Sequence, residues 1–163
     1  MTKSEAAKIG SKQGLRATGI GLLIAQLIMT LFVSLDEGFL KGVFWFISFD
    51  YKLNVTVGAA ILLLSGYFFG RIAGKMILIQ NHNHVIIGVL SGMAVLITTA
   101  CLSGVLGFIQ EGWRNIGTED NPIEDYIFKP LYWISIFGFI PAIFVGLWFS
   151  SRIKRQRNSV SPT

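Results

Sequence analysis

Val85–Ile109 reads VIIGVLSGMAVLITTACLSGVLGFI, 25 residues without an Asp, Glu, Lys, Arg or His among them. At about 1.5 Å of rise per residue, a helix of that length crosses a hydrocarbon core of roughly 30 Å. Three other stretches share the property: Ala17–Leu35, Leu53–Gly70 and Pro130–Ser151. Their runs of consecutive apolar residues, such as Ala59-Ala60-Ile61-Leu62-Leu63-Leu64, lack the alternation of a transmembrane β-strand. The expectation is an all-α integral membrane protein with four spanning helices in a compact bundle.

Composition points the same way. Hydrophobic residues make up 52% of the 163 residues, charged residues 14%, and the mean hydropathy is +0.60. A soluble domain of this size has too little polar surface to cover four all-apolar helices. The chain divides into a basic segment (1–16), a four-helix membrane domain (17–151) and a basic tail (152–163) read as disordered. The amino-terminal segment, interrupted by Gly10 and Gly14, reads as frayed. The 19 residues of Ala17–Leu35 exceed the apolar core of about 7–15 residues in a cleavable signal, so the first span is expected to be retained.

Charge sets the orientation. From the first segment to the last, net charges run +3, −1, +2, −3 and +4. Ten basic residues fall in the termini and second loop, against four in the first and third loops. Lys and Arg in short loops favour the cytoplasmic side. Both termini and the second loop are therefore expected inside. The short basic amino end, without an organelle signal, points to a plasma membrane of bacterial inner-membrane type.

The loops carry local signals. Ser34-Leu-Asp-Glu37 fits a capping box, followed by Phe39, Leu40, Val43, Phe44 and Ile47 at helical spacing. That stretch is too short to span and is expected as an interfacial helix, lying on or dipping into the outer leaflet. Trp45, Phe46, Phe49, Tyr51, Tyr132 and Trp133 would form an outer aromatic belt, with Tyr67, Phe68, Phe69 and Trp148 at the inner level. In the third loop, Asn121-Pro122 with Glu124 and Asp125 marks a helix start. Pro130 and Pro141 are expected to bend the last helix. Glu37-Gly38-Phe39 and Glu111-Gly112-Trp113 hint at a duplicated hairpin.

Small residues recur at i, i+4 in every span: Gly21 and Ala25; Gly66, Gly70 and Gly74; Gly88 and Gly92; Gly138, Ala142, Gly146 and Ser150. In lipid, helices associate by close backbone approach, which such residues allow. Gly66, Gly70, Gly74, Gly138, Ala142 and Gly146 are thus the expected packing residues, with the fourth span's stripe also suited to a partner helix.

Chemistry is sparse. The spans carry no Asp, Glu, His, Lys or Arg, against the pattern of proton and ion carriers. Gln26, Thr98 and Thr99, near mid-depth, are expected to bond one another across helices or to line a polar path. His82 and His84 supply two ligands with no Cys or acid nearby, short of a zinc site. Glu119, Asp120, Glu124 and Asp125 lack the ligand pattern of a calcium loop. Cys101 is alone, so no disulfide closes within the chain. No cofactor or metal is expected. Arg152, Lys154, Arg155 and Arg157 are expected to meet lipid headgroups; nucleic acid is not an expected partner. The function expected is that of a non-enzymatic accessory or regulatory partner of another membrane protein. A small oligomeric channel or carrier and a lipid-active enzyme are the alternatives.

Overall fold

A computed structural model describes residues 1–48, 52–110, 112, 116 and 121–160, with backbone only at 48 and 157–160. Four long helices, α1 (Lys3–Glu37), α4 (Lys52–Leu78), α5 (His84–Gln110) and α6 (Lys129–Val160), contain the four predicted spans. Each is long and apolar enough to cross a membrane. Two short helices, α2 (Phe39–Val43) and α3 (Trp45–Ser48), follow α1, and a π-helical turn, Glu124–Phe128, leads into α6. Among the described residues there is no strand.

The helices outrun the apolar stretches, which corrects the expected boundaries at both termini. Residues 1–16 are not frayed: α1 begins at Lys3, capped by Thr2. The Glu5 N–H donates to the Thr2 Oγ1 at 3.2 Å, and the Thr2 N–H donates to Glu5 Oε2 at 2.7 Å. Each of these bonds satisfies an N–H that the helix start leaves unpaired. As far as Val160 the tail is not irregular either, since α6 continues to that residue. Lys, Arg and Gln are good helix formers, so leaving the apolar zone does not end a helix.

α1 packs against α4 and α6, and α5 also packs against α4 and α6, so the four close a ring in the order α1–α4–α5–α6. Two of these contacts are backbone to backbone. Along α1, Ala6, Gly10, Gly14 and Thr18 face Gly74, Gly70 and Gly66 of antiparallel α4. A Cβ on Gly10 would stand 2.8 Å from the Gly74 Cα, and one on Gly14 3.0 Å from the Gly70 Cα. Between α5 and α6, a Cβ on Gly88 would lie 2.6 Å from the Gly146 carbonyl oxygen. One on Gly92 would run into the Ala142 carbonyl, and one on Gly138 into the Leu96 side chain.

Both seams lie toward the end carrying the termini, the basic end. The buried apolar core sits there too: Ala6, Ala17, Ala73, Ile77, Leu78, Ile87, Phe149 and Ile153. Gly21, expected to pack, has no atom within 4 Å of where a Cβ would stand. The stripe of α1 that packs is instead the one starting at Ala6, in the segment read as frayed. Its polar neighbours Lys3, Lys8, Ser11 and Lys12 mask its small-xxx-small spacing.

At the opposite, acidic end, the capping box predicted at Ser34 is not used. α1 runs through it to Glu37 and stops at Gly38, whose φ of +91° favours glycine. Ser34 Oγ is buried and bonds to no described residue. After Gly38 the chain doubles back, and α2 lies against α1: a Cβ on Gly42 would meet the Ser34 hydroxyl and stand 2.6 Å from the Thr30 carbonyl oxygen. The predicted short helix is thus two pieces, broken at Phe44.

The start predicted at Asn121 is present. Its Oδ1 accepts from the Glu124 N–H at 3.4 Å, and its carbonyl accepts from the Asp125 N–H at 3.0 Å. The following turn widens to π, with the Lys129 N–H reaching back to the Glu124 carbonyl. Pro130, next in line, has no N–H for the Tyr126 carbonyl in the α pattern. That carbonyl points at α5, 2.8 Å from where a Gly104 Cβ would be, so Gly104 lets the two backbones meet.

Candidate functional site at the basic end

At the basic end the seams set where the charges stand. α1 places Gln13, Arg16, Gly19, Ile20 and Leu23 on one face, at helical spacing, opposite Trp148, Arg152 and Arg155 of α6. These residues line a cleft of about 610 Å³ between the two helices. The Arg152 guanidinium lies over the Trp148 ring, 5.3 Å from its centroid, in cation–π range. Among the described residues only Lys41–Glu37 (3.5 Å) and Lys129–Asp125 form ion pairs, both toward the acidic end. No described carboxylate neutralises Arg16, Arg152 or Arg155. Gln13 is 3% exposed.

Of the four predicted headgroup residues, Arg152 and Arg155 line this cleft, and Lys154 is exposed on α6 away from it. The Arg157 side chain lies outside the described residues. Sequence reasoning left Arg16 and Gln13 out of the set, because their separation of more than 130 residues from Arg152 and Arg155 hides the juxtaposition.

The six predicted packing residues separate into two seams. Gly66, Gly70 and Gly74 meet α1, while Gly138, Ala142 and Gly146 meet α5. The fourth helix's stripe is therefore occupied within the chain. No family model, curated protein or solved structure matches this chain. What it does must be argued from its own geometry.

The expected group of Gln26, Thr98 and Thr99 does not assemble. Gln26 bonds across the reversal instead: its Nε2 donates to the Val43 carbonyl at 2.9 Å and to Thr30 Oγ1 at 3.3 Å, and its Oε1 accepts from the Trp45 Nε1–H at 3.1 Å. Val43 and Trp45 flank the α2–α3 break, where backbone groups lose helical partners. One side-chain amide gives the Val43 backbone carbonyl a donor and the Trp45 indole N–H an acceptor. Thr99 bonds locally, to the Val95 carbonyl at 2.8 Å. Gln26 lies midway along Ala17–Leu35, so the segment returning after Gly38 runs back along α1 to within reach of that side chain.

His82 and His84 flank Asn83, whose Oδ1 accepts from the Val85 N–H at 2.9 Å to start α5. Asn81 takes a φ of +59° in the same turn. Among the described residues, no three His, Cys, Asp or Glu converge as a metal site. Glu111, Trp113, Glu119, Asp120, Phe49 and Tyr51 fall outside the described residues, and with them half of the acidic cluster, part of the second copy in the duplication hint and part of the outer belt. Tyr132 and Trp133 do pack together, with Trp133 stacked on Phe137 at 5.8 Å between centroids.

Proposed function

We propose that the chain spans a plasma membrane four times as a compact bundle, with both termini and the α4–α5 turn in the cytoplasm. It acts there as a non-enzymatic accessory or regulatory partner of another membrane protein. The orientation rests on the alternating loop charges. The role rests on where contact surface remains. Both glycine seams are occupied within the chain, so the partner surface is not the stripe of α6. What is left on α1 is the row Leu23, Leu27, Leu31 and Leu35, each between 63% and 79% exposed.

These four leucines recur at i+4 on one helix face, beginning beside the basic cleft and ending at Gly38. A second membrane helix packing along them would gain dispersion contact over about three turns. Gln26 supports the reading by its position, since it holds the returning segment on α1.

Recovery in mild detergent from native membranes, followed by mass spectrometry, tests this. A stoichiometric membrane partner is expected, released when Leu27 and Leu31 are both replaced by Ala and retained in a Phe144→Ala control. A clean homo-oligomer, or a partner indifferent to the leucine row, contradicts the reading. Orientation is tested separately by fusing compartment-specific reporters to each end; reporters active on opposite sides refute it.

A further inference from the structure

The cleft between α1 and α6 changes character along its depth. Arg16 and Arg152 stand at the edges of their apolar stretches, one residue before Ala17 and one after Ser151. This is the level at which a spanning helix meets headgroups. Arg155 and the buried Gln13 stand at the same mouth. Deeper, along the first span, the lining is Gly19, Ile20 and Leu23. Gly19 leaves the groove open, since no atom lies within 4 Å of where its Cβ would be.

We propose that this cleft is a specific site for one anionic glycerophospholipid. The phosphate sits among Arg16, Arg152 and Arg155, and an acyl chain follows Gly19, Ile20 and Leu23 down α1. Guanidinium groups bind phosphate oxygens through paired, charge-assisted hydrogen bonds, and basic pockets between membrane helices suit anionic headgroups. The Trp148 ring holds the Arg152 guanidinium in place while leaving its N–H groups free to donate. The Gln13 amide, at the same mouth, supplies a further neutral donor. A soluble phosphate would use the mouth but not the apolar groove. An acidic peptide would not place its backbone at that depth, where unpaired amides are costly. The lipid alone matches both parts.

The inference rests on the membrane placement proposed above, and not on the orientation or the regulatory role. Detergent micelles have no sidedness, so the test stands even if either of those fails. The purified full chain is titrated with phosphatidylglycerol and, separately, phosphatidylcholine, and bound lipid is read by native mass spectrometry. The expected result is a single retained phosphatidylglycerol, with phosphatidylcholine bound more weakly. Removing two charges, as in R16Q with R155Q, should weaken retention about tenfold or more. Lys154→Gln removes a charge from the same helix off the cleft and should leave retention unchanged. Gly19→Trp adds bulk to the groove while keeping every charge, and should also abolish single-lipid retention. Each variant's thermal midpoint without added lipid is expected near wild type, which separates lost binding from lost fold. Glycerol phosphate, lacking a tail, should not compete. Equal retention of both lipids overturns the proposal, as does equal loss in Lys154→Gln, indifference to Gly19→Trp, or competition by glycerol phosphate.

Discussion

Where α1 meets α4, backbone lies on backbone; two turns farther along α1, Gly21 has nothing near it at all. The basic half of the molecule is held by glycines whose missing side chains let helices touch. The acidic half is held by a doubled-back segment, one amide side chain and a row of aromatic rings. The difference follows from the environment. Without a hydrophobic drive between helices in lipid, adhesion has to come from close packing or from polar groups that need partners. The basic half relies on two glycine seams, whereas the acidic half has single close approaches, at Gly42 and Gly104, and adds polar groups bonded across the reversal. A stiff half thus carries the charges and the cleft, and a looser half carries the broken helix.

The contrast can be broken most severely at the seams. Gly70→Leu or Gly146→Leu forces a side chain into the facing backbone. The expected loss is about 3 kcal/mol or more, at the upper end of overpacking costs. In a gentle detergent, size-exclusion chromatography should then show a broadened or aggregated species. Phe137→Ala, in the acidic half, trims a ring that is 48% exposed and should leave the profile sharp.

A smaller effect is expected at Gln26. Gln26→Leu strands the Val43 carbonyl and the Trp45 indole N–H, for about 1–3 kcal/mol. The cost should fall on the returning segment alone. Hydrogen exchange in 39–48 should accelerate while the seams keep their protection. Equal acceleration at Gly10 or Gly70 would mean that the halves are not independent.

Gly104→Val should fall between these in kind. It pushes the Tyr126 carbonyl away from α5 and disturbs the π turn, at about 1–2 kcal/mol. A lowered thermal midpoint with the basic-end seams still protected is the expected pattern.

The mildest test is at the start of α1. The Thr2 backbone N–H, with help from its hydroxyl, holds the Glu5 carboxyl below the usual carboxylate range. A depressed carboxylate contributes stability at neutral pH and loses it as pH falls through its folded-state value. Protection of the first turn of α1 should therefore fade on acidification. Glu5→Gln should remove that pH dependence without disturbing the rest of the helix.

Much of this was legible in the residues. The absence of charge over Val85–Ile109 and its three counterparts located every long helix, because the lipid core imposes one rule on all four. The stripes on α4, α5 and α6 were legible for the same reason: small residues at i+4 have few other uses in an apolar helix. The stripe on α1 was hidden. Ala6, Gly10 and Gly14 sit among lysines, and polarity there reads as exposure, whereas the helix extends beyond the apolar zone and still packs. The partners of Gln26 were hidden by the reversal at Gly38, which no periodicity in α1 announces. The cleft needed Arg16 and Arg152 side by side, and only the closing of the ring between α1 and α6 brings them together.

The most direct measurement compares two glycines on one helix. Gly14→Leu and Gly21→Leu add the same side chain to α1, seven residues apart, the first facing α4 and the second facing nothing. Thermal midpoints in the same detergent should fall by about 10 °C for Gly14→Leu and stay within about 2 °C for Gly21→Leu. Equal shifts, or a larger one at Gly21, would contradict the seam at the basic end and the account built on it.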